Sequence, residues 1–182
     1  MLYVITGVPG VGKTTLVKEF QKLTKYKWIE YGNIILEIAK KKKLANKLDE
    51  IRNIPQKEYL KVQKEAAQKI AKTKGNVILT THITVKTHDG YFPGFTPETL
   101  KILKPKVFVL IESNPEKIMK FRNKDKTRSR KDQGGEKEVI EHQATNRLFA
   151  HAYASICGAD VLIFHQNYDN PKVSAKRLKM MI

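Results

Sequence analysis

One cysteine, Cys157, stands in 182 residues, so neither an intrachain disulfide nor a thiolate-rich zinc site can be assembled from this chain. Long apolar runs are missing as well. None approaches the about 20 residues that a membrane-spanning helix needs, and no membrane association is expected. There is no internal repeat, low-complexity tract or Pro/Gly/Ser linker, so residues 1–182 are expected to form a single domain. The amino terminus opens on a strand-like stretch at residues 2–6, without the basic start, apolar middle and small-residue cleavage site of a secretory signal. The expected location is cytoplasmic. Acidic residues are scarce: 18 Asp and Glu face 35 Lys and Arg, a net charge of +17 that attracts polyanions such as RNA, ribosomes or free nucleotides. The alternative is a lysine-coated surface with no dedicated partner, because the lysines are scattered. Arginine is rare too, yet Arg122, Arg128 and Arg130 fall close together. Its planar fork suits bidentate phosphate binding, so this cluster says more than the total charge.

What is present is a 41% hydrophobic share arranged in short apolar runs that alternate with helical patterns. The runs predict strands at residues 2–6, 28–31, 76–81, 107–111 and 161–164. The helical spacing predicts helices at 14–24, 34–43, 56–72, 115–124, 139–155 and 171–181, one helical turn at 49–53, and a turn-rich loop up to Gly94. Continuous apolar strands alternating with helices imply an α/β fold: a five-stranded parallel sheet with helices on both faces. The polar segment of about 123–138, with Gly134-Gly135, reads either as a surface loop or as a mobile lid. Arg128 and Arg130 favour the lid.

Gly7-Val8-Pro9-Gly10-Val11-Gly12-Lys13-Thr14 fits G-x-x-x-x-G-K-[ST] at every fixed position, between a predicted strand and a predicted helix. Gly7, Gly10 and Gly12 let the backbone curl so that N–H groups, including that of Val11, point at phosphate oxygens. The helix start through Lys13, Thr14 and Thr15 adds its positive dipole end. Lys13 reaches the β- and γ-phosphates, and the Thr14 hydroxyl suits Mg²⁺. The pattern indicates P-loop binding of a nucleoside triphosphate and leaves the reaction open. A kinase additionally needs an acceptor pocket and a closing lid, and the chain has candidates for both. The histidines lack metal-ligand spacing; His142 and His151, nine apart on one helix, read as a solvated rear face.

Six ordered pieces together resemble the archaeal adenylate kinases, P-loop nucleoside monophosphate kinases, over nearly the whole length. They are residues 7–15, Asp49-Glu50-Ile51-Arg52, Thr81-His82 through Lys86-Thr87, Gly90-Tyr91-Phe92-Pro93-Gly94, Thr127-Arg128-Ser129-Arg130, and Glu141-His142-Gln143 with Asn146-Arg147. The resemblance implies ATP:AMP phosphotransfer with Mg²⁺, a monophosphate-binding segment at about 30–72, a short lid at about 123–138, and a homotrimer. It gives Arg128, Arg130 and Arg147 to the transferring phosphoryl group, and Arg122 and the chain at 165–167 to the adenine of ATP. Gly32 would admit a base or ribose, or simply begin a helix. Arg52 would clamp the AMP phosphate, or pair with Asp49. Thr81, His82, Tyr91 and Gly94 would line the acceptor pocket, with a structural role open for His82. In the resembling family an aspartate stands where this chain has Thr80, so Mg²⁺ would rely on the phosphates, Thr14 and water. Otherwise Asp89 or Glu112 would have to reach it, unless Glu112 caps the helix at Pro115; the third reading is a weakened or lost activity, with nucleotide binding retained for a regulatory role. The competing reading is a P-loop NTPase acting in RNA or ribosome assembly. Within the kinases, the alternatives are polynucleotide 5′-, cytidylate or shikimate kinases.

Overall fold

The computed structural model describes residues 1–87, 89–124, 134–166 and 170–182. The chain runs β1 (Leu2–Thr6), α1 (Lys13–Gln21), β2 (Lys27–Glu30), α2 (Tyr31–Lys41), a 3-10 turn (Leu48–Asn53), α3 (Gln56–Ala71) and β3 (Val77–Thr80). It continues through β4 (Thr84–Lys86), β5 (Tyr91–Pro93), α4 (Pro97–Leu103), β6 (Val107–Glu112), α5 (Pro115–Lys124), α6 (Glu136–Cys157), β7 (Asp160–His165) and α7 (Pro171–Met181). Five strands form one parallel sheet in the order β2-β3-β1-β6-β7. This is the expected α/β architecture.

Helices cover both faces, which explains why the strands carry no polar alternation. In β1, Leu2 and Val4 enter a cluster built with α2, α3, α4 and α6, whereas Tyr3 and Ile5 enter one built with α1, α5 and α7. All five residues of β1 and all six of β6 are buried. A parallel sheet also carries every strand's carboxyl end to the same edge, where ligands bind in such folds. The loop after β1, Thr81-His82 after β3, Glu112 at the end of β6 and the start of α2 after β2 all gather there.

Three local expectations are corrected. Tyr31 is not the end of a strand; it opens α2, three residues ahead of the predicted start. It is the first member of the buried set Tyr31, Ile35, Ile38 and Ala39, whose spacing is helical, and its ring meets Phe95 at 5.3 Å between centroids. The loop before Gly94 contains the antiparallel hairpin β4–β5, whose three-residue strands are too short to show a period. Helix α4 was not expected at all. Its signal is a cap: the Thr96 hydroxyl accepts from the Thr99 N–H at 3.1 Å, and Pro97 occupies the first turn. The central part of the predicted lid, with Arg128 and Arg130, lies outside the described residues, as does Asn167. Among the described residues no helix is long and apolar enough to cross a membrane.

Candidate active site

The loop between β1 and α1 is held by its carbonyls. Lys13 Nζ donates to the Gly7 and Val8 carbonyl oxygens at 2.6 and 3.2 Å. His82 Nδ1, at the carboxyl end of β3, donates to the same Gly7 oxygen at 3.2 Å. Arg122, buried on α5, donates from Nε to the Pro9 oxygen at 2.9 Å. Three side chains from three elements thus fix the carbonyl side of the turn. Gly12 caps α1 with φ 89 and ψ 17, a left-handed conformation suited to glycine. At Gly7 a side chain would meet the Ile111 carbonyl oxygen at 2.4 Å, so the loop lies directly against the end of β6. Gly10, Val11, Thr14 and Thr15 complete the curl, and both threonines are exposed at the start of α1.

Arg122 therefore braces the loop, a contact the sequence did not suggest for it. His82 has a bonded role whatever else it does. Thr81 is tied in by its N–H to the Ile5 oxygen at 3.2 Å. Gly94 closes the β4–β5 hairpin: its N–H donates to the Ile83 oxygen at 2.7 Å, and a Cβ there would sit 2.3 Å from the His82 oxygen. The buried Gln63 amide of α3 donates to the Gly94 oxygen at 3.0 Å, a link with no sequence signal beyond a polar residue on an apolar face.

On the other flank, Gly32 lies in the first turn of α2, and a Cβ on it would be 3.6 Å from Leu48 of the 3-10 turn. The segment of Gly32 and the segment of Arg52 are thus neighbours. Arg52 donates from Nε to the Asp49 backbone oxygen at 3.1 Å, through the main chain and not through the Asp49 carboxylate. Asn46-Lys47-Leu48-Asp49 happens to have the N-K-x-D spacing used for guanine reading, but it follows α2 instead of a strand. Its Asn46 and Lys47 N–H groups donate to the Glu50 carboxylate.

Helix α6 grips the sheet edge through polar contacts that the sequence reading missed. Arg147 donates from Nε and Nη2 to the two Glu112 oxygens at 2.7 and 2.5 Å. Glu112 therefore does not cap α5; Asn114 does, accepting from the Glu116 N–H at 2.8 Å. Gln143 accepts from the Ser113 N–H at 3.0 Å. His142 is buried, contrary to the solvated face expected for it. The Thr84 hydroxyl donates to Asn146 Oδ1 at 2.6 Å, which leaves His142 Nε2–H as the donor to Thr84 at 3.0 Å. Burial, with some repulsion from Lys13, Arg122 and Lys86, pulls the His142 pKa down to about 4. The Tyr91 ring lies 5.0 Å from that of His142. Its buried hydroxyl sits beside Glu141 and Thr145 without a hydrogen bond of normal geometry to any described residue. Burial first, and the Glu141 carboxylate second, push it up to about 12.

The family profile described as an AAA domain matches residues 6–140. The chain is 44% identical over 183 residues to the adenylate kinase of Methanopyrus kandleri, covering 97% of this chain and 95% of that one. With the adenylate kinase of Thermoplasma volcanium it shares 37% over 182 residues, covering 100% and 99%. The chain belongs to the adenylate kinase family. Among solved structures, a shikimate kinase from Bacteroides thetaiotaomicron superposes with a TM-score of 0.63 at 18% identity, covering 100% of this chain and 97% of that one. At that identity the likeness concerns the fold alone, a P-loop kinase sheet. Thr80, which stands where the resemblance implies an aspartate, ends β3. The Thr80 hydroxyl accepts from the Trp28 indole at 2.9 Å and donates to the Ile29 oxygen at 3.4 Å.

Proposed function

We propose that this chain catalyses the reversible, Mg²⁺-dependent transfer of the γ-phosphoryl group of ATP to AMP, giving two ADP. The observation that carries the reading is the loop of residues 7–14, braced on its carbonyl side by Lys13, His82 and Arg122. With its carbonyls held on one side, the loop has its other side open to phosphate oxygens; the Val11 N–H, expected to point at phosphate, donates instead to the Val8 oxygen at 3.3 Å and would have to turn outward when they arrive. Transfer is in line, with no covalent intermediate, so positioning and neutralisation of charge supply the catalysis. Lys13 lies against the β- and γ-phosphates. Arg128, Arg130 and Arg147 face the transferring phosphoryl group, where negative charge must be balanced. Gly32, Arg52, Thr81, His82, Tyr91 and Gly94 form the AMP side, and Arg122 stands near the ATP base.

Mg²⁺ prefers oxygen ligands and keeps several waters. The exposed Thr14 hydroxyl at the head of α1 fits such a partner, together with phosphate oxygens. Glu112 is committed to Arg147, and Thr80 to Trp28 and Ile29, so we assign the protein ligand to Thr14. A cation held there would neutralise charge on the phosphate groups. A cytoplasmic location suits this chemistry.

A homo-oligomer, a homotrimer by family resemblance, belongs to the same reading. It is favoured by an apolar ridge on the outer face of α6: Ile140, Leu148 and Ile156 are 56%, 73% and 43% exposed, with exposed Ala144 and Ala152 between them. A second copy of the chain would cover it. Light scattering should give a multiple of the 20.9 kDa chain mass that Leu148→Glu reduces; a monomeric wild type would contradict the assembly. The activity is tested with ADP alone. ³¹P NMR of ADP·Mg²⁺ with enzyme should show ATP and AMP appearing in equal amounts, and ADP that stays intact would contradict the reading.

A further inference from the structure

The Glu112–Arg147 pair is uneven. The Glu112 side chain is 7% exposed while that of Arg147 is 47% exposed. The carboxylate ends β6, a strand whose preceding residue presses its carbonyl oxygen against Gly7 of the phosphate loop. A bare carboxylate there would repel nucleotide phosphates. A guanidinium bound side-on through Nε and Nη2 removes that charge, and it spends only two of its five N–H donors. Three donors remain on the exposed part of the fork, at the carboxyl edge of the sheet.

We propose that Glu112 is a positioning residue for phosphoryl transfer: its buried carboxylate locks the Arg147 fork so that the remaining donors meet the transferring phosphoryl oxygens. This rests on the reading of Arg147 as a phosphate contact. An unrestrained arginine has a long, rotamer-rich side chain, whose freedom would have to be lost as the transition state forms. Held by two charge-assisted bonds to a buried partner, Arg147 is ordered beforehand, and its N–H groups act as preorganised donors. Both partners are anchored by rigid elements: Glu112 by the central part of the sheet, Arg147 by a helix that Gln143 and His142 also tie to the same edge. A pair that served only to neutralise a buried charge would affect stability, whereas a positioning pair must also affect the chemical step.

The experiment compares Glu112→Gln, Glu112→Asp, Arg147→Lys and the double variant Glu112→Gln/Arg147→Lys, measuring kcat, the KM for ATP and for AMP, and the melting temperature. Gln keeps the size of the side chain and one acceptor but loses the charge and the second bond. Glu112→Gln is expected to lower kcat roughly ten- to a hundredfold with both KM values nearly unchanged, because a misplaced fork is felt in the transition state. The double variant should be little slower than Arg147→Lys alone, since both changes remove the same ordered fork. If Arg147→Lys is slow and a folded Glu112→Gln turns over at the wild-type rate, Glu112 positions nothing and the proposal is overturned. If Arg147→Lys itself is as fast as wild type, it is the reading of Arg147 that fails. Should Glu112→Gln not fold, Glu112→Asp decides: it keeps the charge but draws the fork back by one methylene, and a wild-type kcat in that variant overturns the proposal.

Discussion

Acid should destabilise this protein through one histidine. His142 is 3% exposed, its Nε2–H donates to Thr84, and its folded pKa is about 4 against 6.5 for an ordinary histidine. Between these values the unfolded chain binds a proton that the folded chain refuses, so stability falls as pH drops. The loss is negligible above pH 6.5, runs at up to about 1.4 kcal/mol per pH unit below it, and levels off near pH 4. From pH 7 to pH 5 the histidine alone should cost about 2 kcal/mol, a large share of the 5–15 kcal/mol typical of a domain. Carboxylates titrate in the same range, so the assay needs a reference. His142→Gln retains an amide donor for Thr84 and cannot be protonated. Urea unfolding of both proteins at pH 7 and pH 5 should show the wild type losing about 2 kcal/mol more than the variant. Equal losses would refute the picture of a buried neutral imidazole held between Thr84 and Tyr91.

Three further outcomes follow from the site. Lys13→Ala should abolish phosphotransfer with the fold retained, and Gly12→Val should do the same at an additional stability cost of about 1–2 kcal/mol, since a β-branched side chain must adopt φ 89; near-normal turnover in either would count against the loop. Steady-state kinetics of Arg52→Ala should show mainly a raised KM for AMP, whereas Arg128→Ala and Arg130→Ala should lower kcat by about 10³-fold or more. A common modest KM change in all three would dissolve the division of roles. Thr80→Asp still offers Trp28 an acceptor and adds a charge for hydrated Mg²⁺, so the Mg²⁺ concentration for half-maximal activity should fall while AMP affinity stays put; an unaltered Mg²⁺ titration would show the missing carboxylate to be irrelevant.

The sheet was readable because strands buried on both faces leave continuous apolar runs, as in β1, β3 and β6. The phosphate loop was readable because all its parts are contiguous. What escaped was assembled from distant positions or from short elements. No local pattern shows that His82 and Arg122 both bond to carbonyls of that loop, or that Glu112 pairs with Arg147. His142 was misjudged because one face of α6 is occupied by polar groups that satisfy one another, and such a face looks solvated in sequence. Tyr31 was misassigned because a β-prone aromatic after a strand resembles its continuation; tertiary burial against Phe95 decided for the helix.

The proposed function has this site use ATP and prefer AMP as phosphoryl acceptor. Its most direct test is a coupled assay with ATP·Mg²⁺ in which AMP, CMP, UMP, GMP and a 5′-hydroxyl RNA are compared by kcat/KM, with Lys13→Ala as the blank. AMP should give the highest value, and the blank should give none with any acceptor. A higher kcat/KM for RNA or for another monophosphate, or no turnover with AMP, would contradict the account.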